Sequence, residues 1–323
     1  MLAILSLLSD FRVSTVGKRD PFSLMLNKTF STLISLILKI SDPLIDVKVG
    51  NRNIVMNLSH NLPLLIAHNP FYDTALTRLC VHIKNAMNRL IFVDVGANIG
   101  DTISLITDAV EGEFLCVEGD SEFYNLLVKN TKDIKNVVCE QVLLGDSVNA
   151  QESLVKKHGT AQIALASSSQ TSLAIEMTSL DNLVQKNKTF LETNILKIDT
   201  DGYDYKVIRG SLDLISHAKP VIFFELAPQF LLDQGENLLS IFGLLKEHGY
   251  QTALFYDNRG YPLVKLDTSN LLEIKQILNY ALFKKDFYFD VLLFHSSLEK
   301  SFDDFYVKEV SFFGKKCNEP VMA

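Results

Sequence analysis

The chain has 323 residues, 47% of them hydrophobic and 21% charged, the balance of a packed globular protein long enough for one large domain or two small ones. Its formal net charge of −7 argues against a general nucleic-acid binder, which presents a basic face, and leaves room for local basic patches. Cys80, Cys116, Cys139 and Cys317 show no CxxC spacing, so neither a zinc site nor a disulfide framework is indicated, and a reducing, cytoplasmic setting is expected.

The opening run "MLAILSLLSDF" is apolar but short, with no basic leader and no small-residue cleavage site. A second apolar run, Phe30 to Ile45, is broken by Lys39, Asp42 and Pro43 and falls short of the roughly 20 residues of a spanning helix. Leu33, Ile34, Ile37 and Ile40 recur at helical spacing. That predicts an amphipathic helix, either packed on the main domain or lying in a membrane interface. Residues 1–89 are read as a mostly helical cap.

From Leu90 onward, strand-like runs alternate with amphipathic helical runs, the pattern of a parallel sheet covered on both faces. The first strand is Ile91–Val95. A helix follows from Asp101 with Ile103, Ile106 and Val110 on one face. The second strand is Glu113–Val117, and the helix after it buries Phe123, Leu126 and Leu127. The third strand is Val137–Leu143. Residues 147–193 interrupt the rhythm with extended segments at 159–166 and 173–178 around a serine-rich turn, then a short helix from Ser179. The alternation resumes with strands at Ile195–Asp199, Val221–Glu225 and Gln251–Tyr256, and a late strand at Phe287–His295. Seven strands result. The domain is read as 90–296 and the remainder, 297–323, as a tail.

The stretch "FVDVGANIGD", Phe92 to Asp101, opens a strand through Gly96 and Gly100 into a helix, and Glu118 ends the next strand. Glycines there let a ligand approach backbone amides, and an acid at the second strand's end accepts ribose hydroxyls. A dinucleotide fingerprint requires a glycine where Asn98 stands. Its pyrophosphate would also meet Asp94 and Asp101, whereas a cationic ligand would be favoured. S-Adenosylmethionine, with its sulfonium and ammonium, fits this charge. Asp94 could hold the ammonium, or it could simply cap its own loop.

The segments "FVDVGANIGDT", "CVEGD", "LLGD", "LKIDTDGYDYKVIRGS" and "VIFFEL", in this order, resemble the FkbM-type methyltransferases, over about Val47 to His295. The resemblance implies a class I, Rossmann-like α/β fold with a seven-stranded sheet whose last strand is antiparallel. It also implies a cofactor, S-adenosylmethionine, bound by Asp94, Gly96, Asn98, Gly100, Glu118 and Asp146, the last near the adenine amino group. Asp146 also reads as part of a Gly-Asp turn. Implied too is methyl transfer to a hydroxyl of a sugar, glycan or secondary metabolite. Many members carry glutamate where this chain has Asp201, which keeps the carboxylate but shortens its reach.

Proton removal from a hydroxyl needs a base at the carboxyl edge of the sheet. Asp199, Asp201 and Glu225 end neighbouring strands there, and Lys197 shares the strand face of Asp199. Asp199 is the expected base or substrate anchor, with Asp201 and Glu225 supporting it. Asp201 could instead cap the following helix. No dedicated metal ligand is assigned, although three carboxylates could share a divalent cation. His60 and His295 could reach the cleft, and "YDNRG", Tyr256 to Gly260, reads as a turn on the same edge. Two other readings stay open. One is a nicotinamide-dependent oxidoreductase, opposed by Asn98 and by the lack of a Tyr-x-x-x-Lys run. The other is a non-catalytic module on a methyltransferase-like fold.

Overall fold

The computed structural model describes residues 2–146, 151–157, 160–164, 175–284 and 287–321. The serine-rich turn expected near 165–174 lies outside them. The chain opens with two helices, α1 (Leu2–Thr15) and α2 (Pro21–Leu38), the second capped by the Asp20 side chain on the Ser23 amide. Strands β1 (Leu44–Val49) and β2 (Arg52–Asn57) form an antiparallel hairpin. The cap is therefore not purely helical: in "LIDVKV" buried and exposed residues alternate, the period of a half-buried strand. Helices α3 (Leu62–His68) and α4 (Thr74–Met87) complete the cap.

The main unit contains β3 (Ile91–Val95), α5 (Asp101–Thr107), β4 (Glu113–Val117), α6 (Ser121–Thr131) and β5 (Val137–Glu140). The expected third strand stops at Glu140. Leu143–Leu144 forms β6 of a second, small sheet with β7 (Gln151–Lys157), β8 (Thr160–Ala164) and β9 (Ile175–Thr178). After α7 (Leu180–Lys186) come β10 (Ile195–Ile198), α8 (Asp204–Arg209), α9 (Leu212–Ala218), β11 (Val221–Leu226), α10 (Pro228–Asp233) and α11 (Ser240–Glu247). The chain continues through β12 (Thr252–Asp257), β13 (Pro262–Asp267), α12 (Leu271–Phe283), β14 (Phe289–Phe294) and α13 (Glu299–Val321).

The large sheet has eight strands in the order β13-β12-β14-β11-β10-β3-β4-β5. Strands β11, β10, β3, β4 and β5 run parallel, and β14 lies antiparallel between β11 and β12. Setting aside β13, which adds an antiparallel edge next to β12, the order is the seven-stranded sheet with one antiparallel strand that the sequence leads one to expect. All five residues of β3 and all four of β10 are buried, as a parallel strand covered on both faces requires. One face packs against α7–α12. On the other, Phe92, Ile195, Val221 and Phe223 meet α4, α5 and α13.

Residues 297–321 are not a loose tail. Phe302 and Phe305 of α13 are buried in the core. The Glu309 carboxylate, buried, takes a fork from Arg78 on α4, with Nη2 to Oε2 at 2.8 Å, and the Tyr256 hydroxyl donates to it at 3.1 Å. The Arg78 guanidinium also lies 4.6 Å from the Phe312 ring centroid. Removing one member of a buried ion pair leaves the other uncompensated. Arg78→Leu is therefore expected to lower the unfolding free energy by about 3 kcal/mol, read as a reduced urea midpoint, with Glu309→Gln in the same background recovering part of the loss.

Candidate active site

A cleft of about 890 Å³ opens at the carboxyl ends of β3, β4, β10 and β11, within the range of small-molecule sites, roughly 300–1,000 Å³. Gly96, Asn98, Glu118, Asp199, Asp201 and Glu225 all line it. Asp94, Gly100 and Asp146 do not.

The loop after β3 is left-handed at Gly96, Asn98 and Gly100, with φ of 80°, 47° and 85°. Both glycines are required by the protein's own packing. A Cβ on Gly96 would fall 1.7 Å from the Asp199 carbonyl oxygen, and one on Gly100 would meet Leu127 and Thr131 of α6. The Asn98 amide donates to Glu118 Oε2 (2.9 Å) and the Asp120 amide to Oε1 (2.8 Å). Burial pushes the Glu118 carboxyl up to about 7, against the pull of these two amides.

Asp94 lies beneath the cleft, fully buried, with Lys197 Nζ 3.0 Å from Oδ1. The same ammonium stands 3.4 Å from Asp199 Oδ2 and donates to the Gly96 carbonyl at 3.3 Å. Burial opposes the charge on Lys197, but Asp94, Asp199 and Asp73 outweigh it and hold its pKa well above the ordinary value. Asp94 thus has an internal cation at ion-pair distance, while neither of its buried oxygens meets hydrogen-bond geometry.

Asp199 projects into the cleft, its side chain 46% exposed. Asp201 follows in a left-handed turn (φ 51°). It does not cap α8, which begins at Asp204 with Tyr203 at the cap position and no side-chain cap bond. Asp204 organises this turn, accepting the Thr200 and Gly202 amides at 3.3 and 3.2 Å. Glu225 is 8% exposed and its Oε2 has no hydrogen-bond partner. Burial first, then the charges of Asp199, Asp201, Asp204 and Asp290, raise its pKa well above the ordinary value. Asp290, opposite Glu225 across the β11–β14 ladder, is raised in the same way by burial and by Asp73 and Asp199.

Asp146 belongs elsewhere. Arg209 Nε donates to it at 2.7 Å while the guanidinium forks onto Glu236 at 3.0 and 2.7 Å, tying the loop after β6 to α8. His295 is also remote. Because β14 runs antiparallel, its far end sits beside Gly249 and Ser297, and its near end brings Tyr288 into the cleft. His60 does reach the cleft. The Leu62 amide donates to its Nδ1 at 3.2 Å, which leaves the proton on Nε2, 3.4 Å from Asn98 Oδ1. Asn258 and Arg259 of the expected turn line the opposite side. Tyr72, Asp73, Tyr288 and Asp290 carried no motif. For Asp73 and Asp290 the available signal was an acid placed next to an apolar run.

Among the described residues, no three His, Cys, Asp or Glu side chains gather in a group able to hold a metal ion. The donor set suits a cation-bearing cofactor. Each Glu118 oxygen takes one amide and keeps acceptor capacity, beside apolar walls from Val117, Phe123, Leu143 and Leu144. Asp73, Asp101 and Asp199 add carboxyl groups further along, the first two biased toward the neutral form by burial. A pyrophosphate would find Asp101 at the start of α5 and a Lys197 already engaged.

A cleft at the carboxyl edge of this sheet, with an acid ending the second parallel strand, defines a class I methyltransferase architecture. Residues 94–252, just under half of the chain, match the methyltransferase FkbM domain. Similar solved structures include an FkbM methyltransferase from Methylobacillus flagellatus KT, at 18% identity and a TM-score of 0.32. That match covers 47% of this chain and only 37% of that one. Others are an O-methyltransferase from Bacillus cereus in complex with S-adenosylhomocysteine (11% identity, 91% of this chain and 100% of that one, TM-score 0.39) and a precorrin-6y C5,15-methyltransferase from Geobacter metallireducens GS-15 (12%, 68% and 86%, TM-score 0.34). No curated protein matches the chain.

Raised carboxyl pKa values fix the sign of a pH effect. Glu118 moves from 4.5, and Asp73 from 3.8, to about 7 on folding. The ligand-free native state therefore binds protons more tightly than the unfolded chain between those values. That stability is fully present below pH 4 and is lost as pH rises through 7. The thermal midpoint should fall between pH 5 and 7.5, and Glu118→Gln should flatten the slope by removing a share on the order of 3 kcal/mol.

Proposed function

We propose that the chain is an S-adenosylmethionine-dependent O-methyltransferase acting on a hydroxyl of a sugar, glycan or secondary metabolite. The observation that carries this reading is the pairing, in one cleft, of an amide-held Glu118 with an exposed Asp199 backed by Lys197. Glu118 would take the ribose hydroxyls, the apolar wall the adenine, and Asp73 and Asp101 the amino-acid end. Bound S-adenosylmethionine supplies an electrophilic methyl group on a sulfonium, already an excellent leaving group.

What this chain must add is alignment and removal of a proton. Asp199 is the base: it is the candidate carboxylate nearly half exposed to the cleft, and its partner Lys197 is fixed to the sheet by Asp94. Glu225, lacking a partner at Oε2, would accept from or donate to a second hydroxyl of the acceptor and so orient it. The lining carries the carboxyl groups of Asp73, Asp101, Asp199, Asp201 and Glu225, and of its cations Lys197 and Arg259 the first is already paired with Asp94 and Asp199. That balance disfavours an anionic group at the reacting end and favours a neutral polyol. Cys80, Cys116 and Cys139 are free thiols, and we place the reaction in the cytoplasm.

Calorimetry decides first. S-Adenosylmethionine and its demethylated product should both bind, and Glu118→Ala should weaken both by at least tenfold. Absence of binding by either compound would overturn the reading. Asp199→Asn should change cofactor affinity by less than about threefold. It should lower turnover on a panel of glycosides by roughly 10²–10⁴, the usual worth of a general base, measured as S-adenosylhomocysteine released.

A further inference from the structure

Helix α2 is apolar on two sides and uses one. Its inner side, with Phe30 and Ile34, packs into the cap, where Phe30 stacks on Phe11 of α1 with ring centroids 5.6 Å apart and Ile34 is buried. Its outer side carries Phe22, Met25, Leu33 and Leu36 in a row at helical spacing, from 41% to 66% exposed, and Ile40 in the turn that follows is 89% exposed. Ile4 and Leu7 extend the apolar surface along α1, at 65% and 54% exposed. An apolar stripe on a helix is normally covered, and this helix is only 11% buried.

Charge identifies the cover. Residues 1–41 hold Arg12, Lys18, Arg19, Lys28 and Lys39 against Asp10 and Asp20, a net +3 in a chain whose total is −7. Lys28 and Lys39 lie on α2 and its C-cap, on the flank of the outer apolar row. That is an apolar wedge edged by long basic side chains, which reach to headgroup phosphates while their stems stay in the apolar layer. A twofold contact between copies would set like charges against one another. The helix is long and apolar enough to span a bilayer. Its inner side, however, is committed to α1 by the Phe11 stack and by Asn27 Nδ2 donating to Thr15 Oγ1 at 3.1 Å, so it lies along a surface rather than through it.

We propose that the outer face of the α1–α2 hairpin docks on an anionic lipid surface, both helices lying in the plane of the interface. The cleft is close by. Helix α3 packs against α1 and contributes Leu62, Leu64 and Leu65 to the cleft lining, so docking holds the active site beside the membrane.

Sedimentation with vesicles tests this on the full chain. The protein should pellet with an equal mixture of phosphatidylcholine and phosphatidylglycerol, remain largely in the supernatant with phosphatidylcholine alone, and be released by salt. Lys28→Gln with Lys39→Gln should weaken binding about tenfold or more, at roughly 1 kcal/mol for each basic residue near the surface. The triple change Phe22→Ser, Met25→Ser, Leu36→Ser should abolish pelleting while circular dichroism and S-adenosylmethionine affinity stay unchanged. No pelleting of the wild type on the anionic vesicles overturns the proposal. So does a concentration-dependent dimer that the triple change dissolves, since a second copy would then be the occupant.

Discussion

One buried ammonium organises the reacting edge of the sheet. Lys197 and Asp94 are direct neighbours in the parallel register of β10 and β3, and both point to the face covered by α4, where water is excluded. Two charges taken out of water are tolerated only with near-complete pairing. Lys197 achieves it with Asp94, Asp199 and the Gly96 carbonyl together. The consequence is geometric: the end of β10 is drawn over the loop after β3 until the Asp199 carbonyl occupies the space a side chain on Gly96 would need. Glycine is dictated there by the closure of the sheet's own edge, and the ligand cleft is the space that closure leaves beyond it.

The electrostatics of the cleft follow from the same constraint. With Lys197 matched to Asp94 and Asp199, little positive charge remains for the other acids around them. Burial and mutual repulsion then drive Glu225, Asp290, Asp204 and Asp73 toward the neutral form. Carboxyl groups ending neighbouring strands therefore serve different purposes. A neutral acid can donate a hydrogen bond, while a carboxylate backed by an ammonium can receive a proton. Environment separates the roles, so counting acids at strand ends cannot assign them.

The large sheet was legible in the sequence because its central strands are buried on both faces and read as unbroken apolar runs. Lys197 was legible as well, since it sits two residues from Asp199 on the same strand face. The β1–β2 hairpin is hard to see because the apolar residues of α2 are followed within a few positions by those of β1, whose alternation lasts only six residues. Strand β13 was missed because "PLVKLD" is a half-exposed edge with a weak apolar signal. Asp146 misled because its partner Arg209 lies 63 residues away in sequence. His295 misleads because β14 runs antiparallel, which puts the start of "FYFDVLLFH", with Tyr288, at the cleft and its end away from it.

The cap cannot be treated as an appendage, whatever boundary is drawn near residue 89. Ile45, Val47 and Ile54 share one core with Ile99, Phe123 and Leu126 of the main unit. Asn130 on α6 is the joint. It exchanges hydrogen bonds with Val55 of the hairpin, amide to Oδ1 at 2.9 Å and Nδ2 to carbonyl at 2.9 Å, and also donates to the Ile99 carbonyl at 2.8 Å. His60 adds a second link through Asn98. The loop that shapes the cleft is thus clamped from the cap as well as from the sheet. Any force on the cap, including the attachment of α1 and α2 to a surface, has a short covalent and hydrogen-bonded route to the left-handed turn at Asn98.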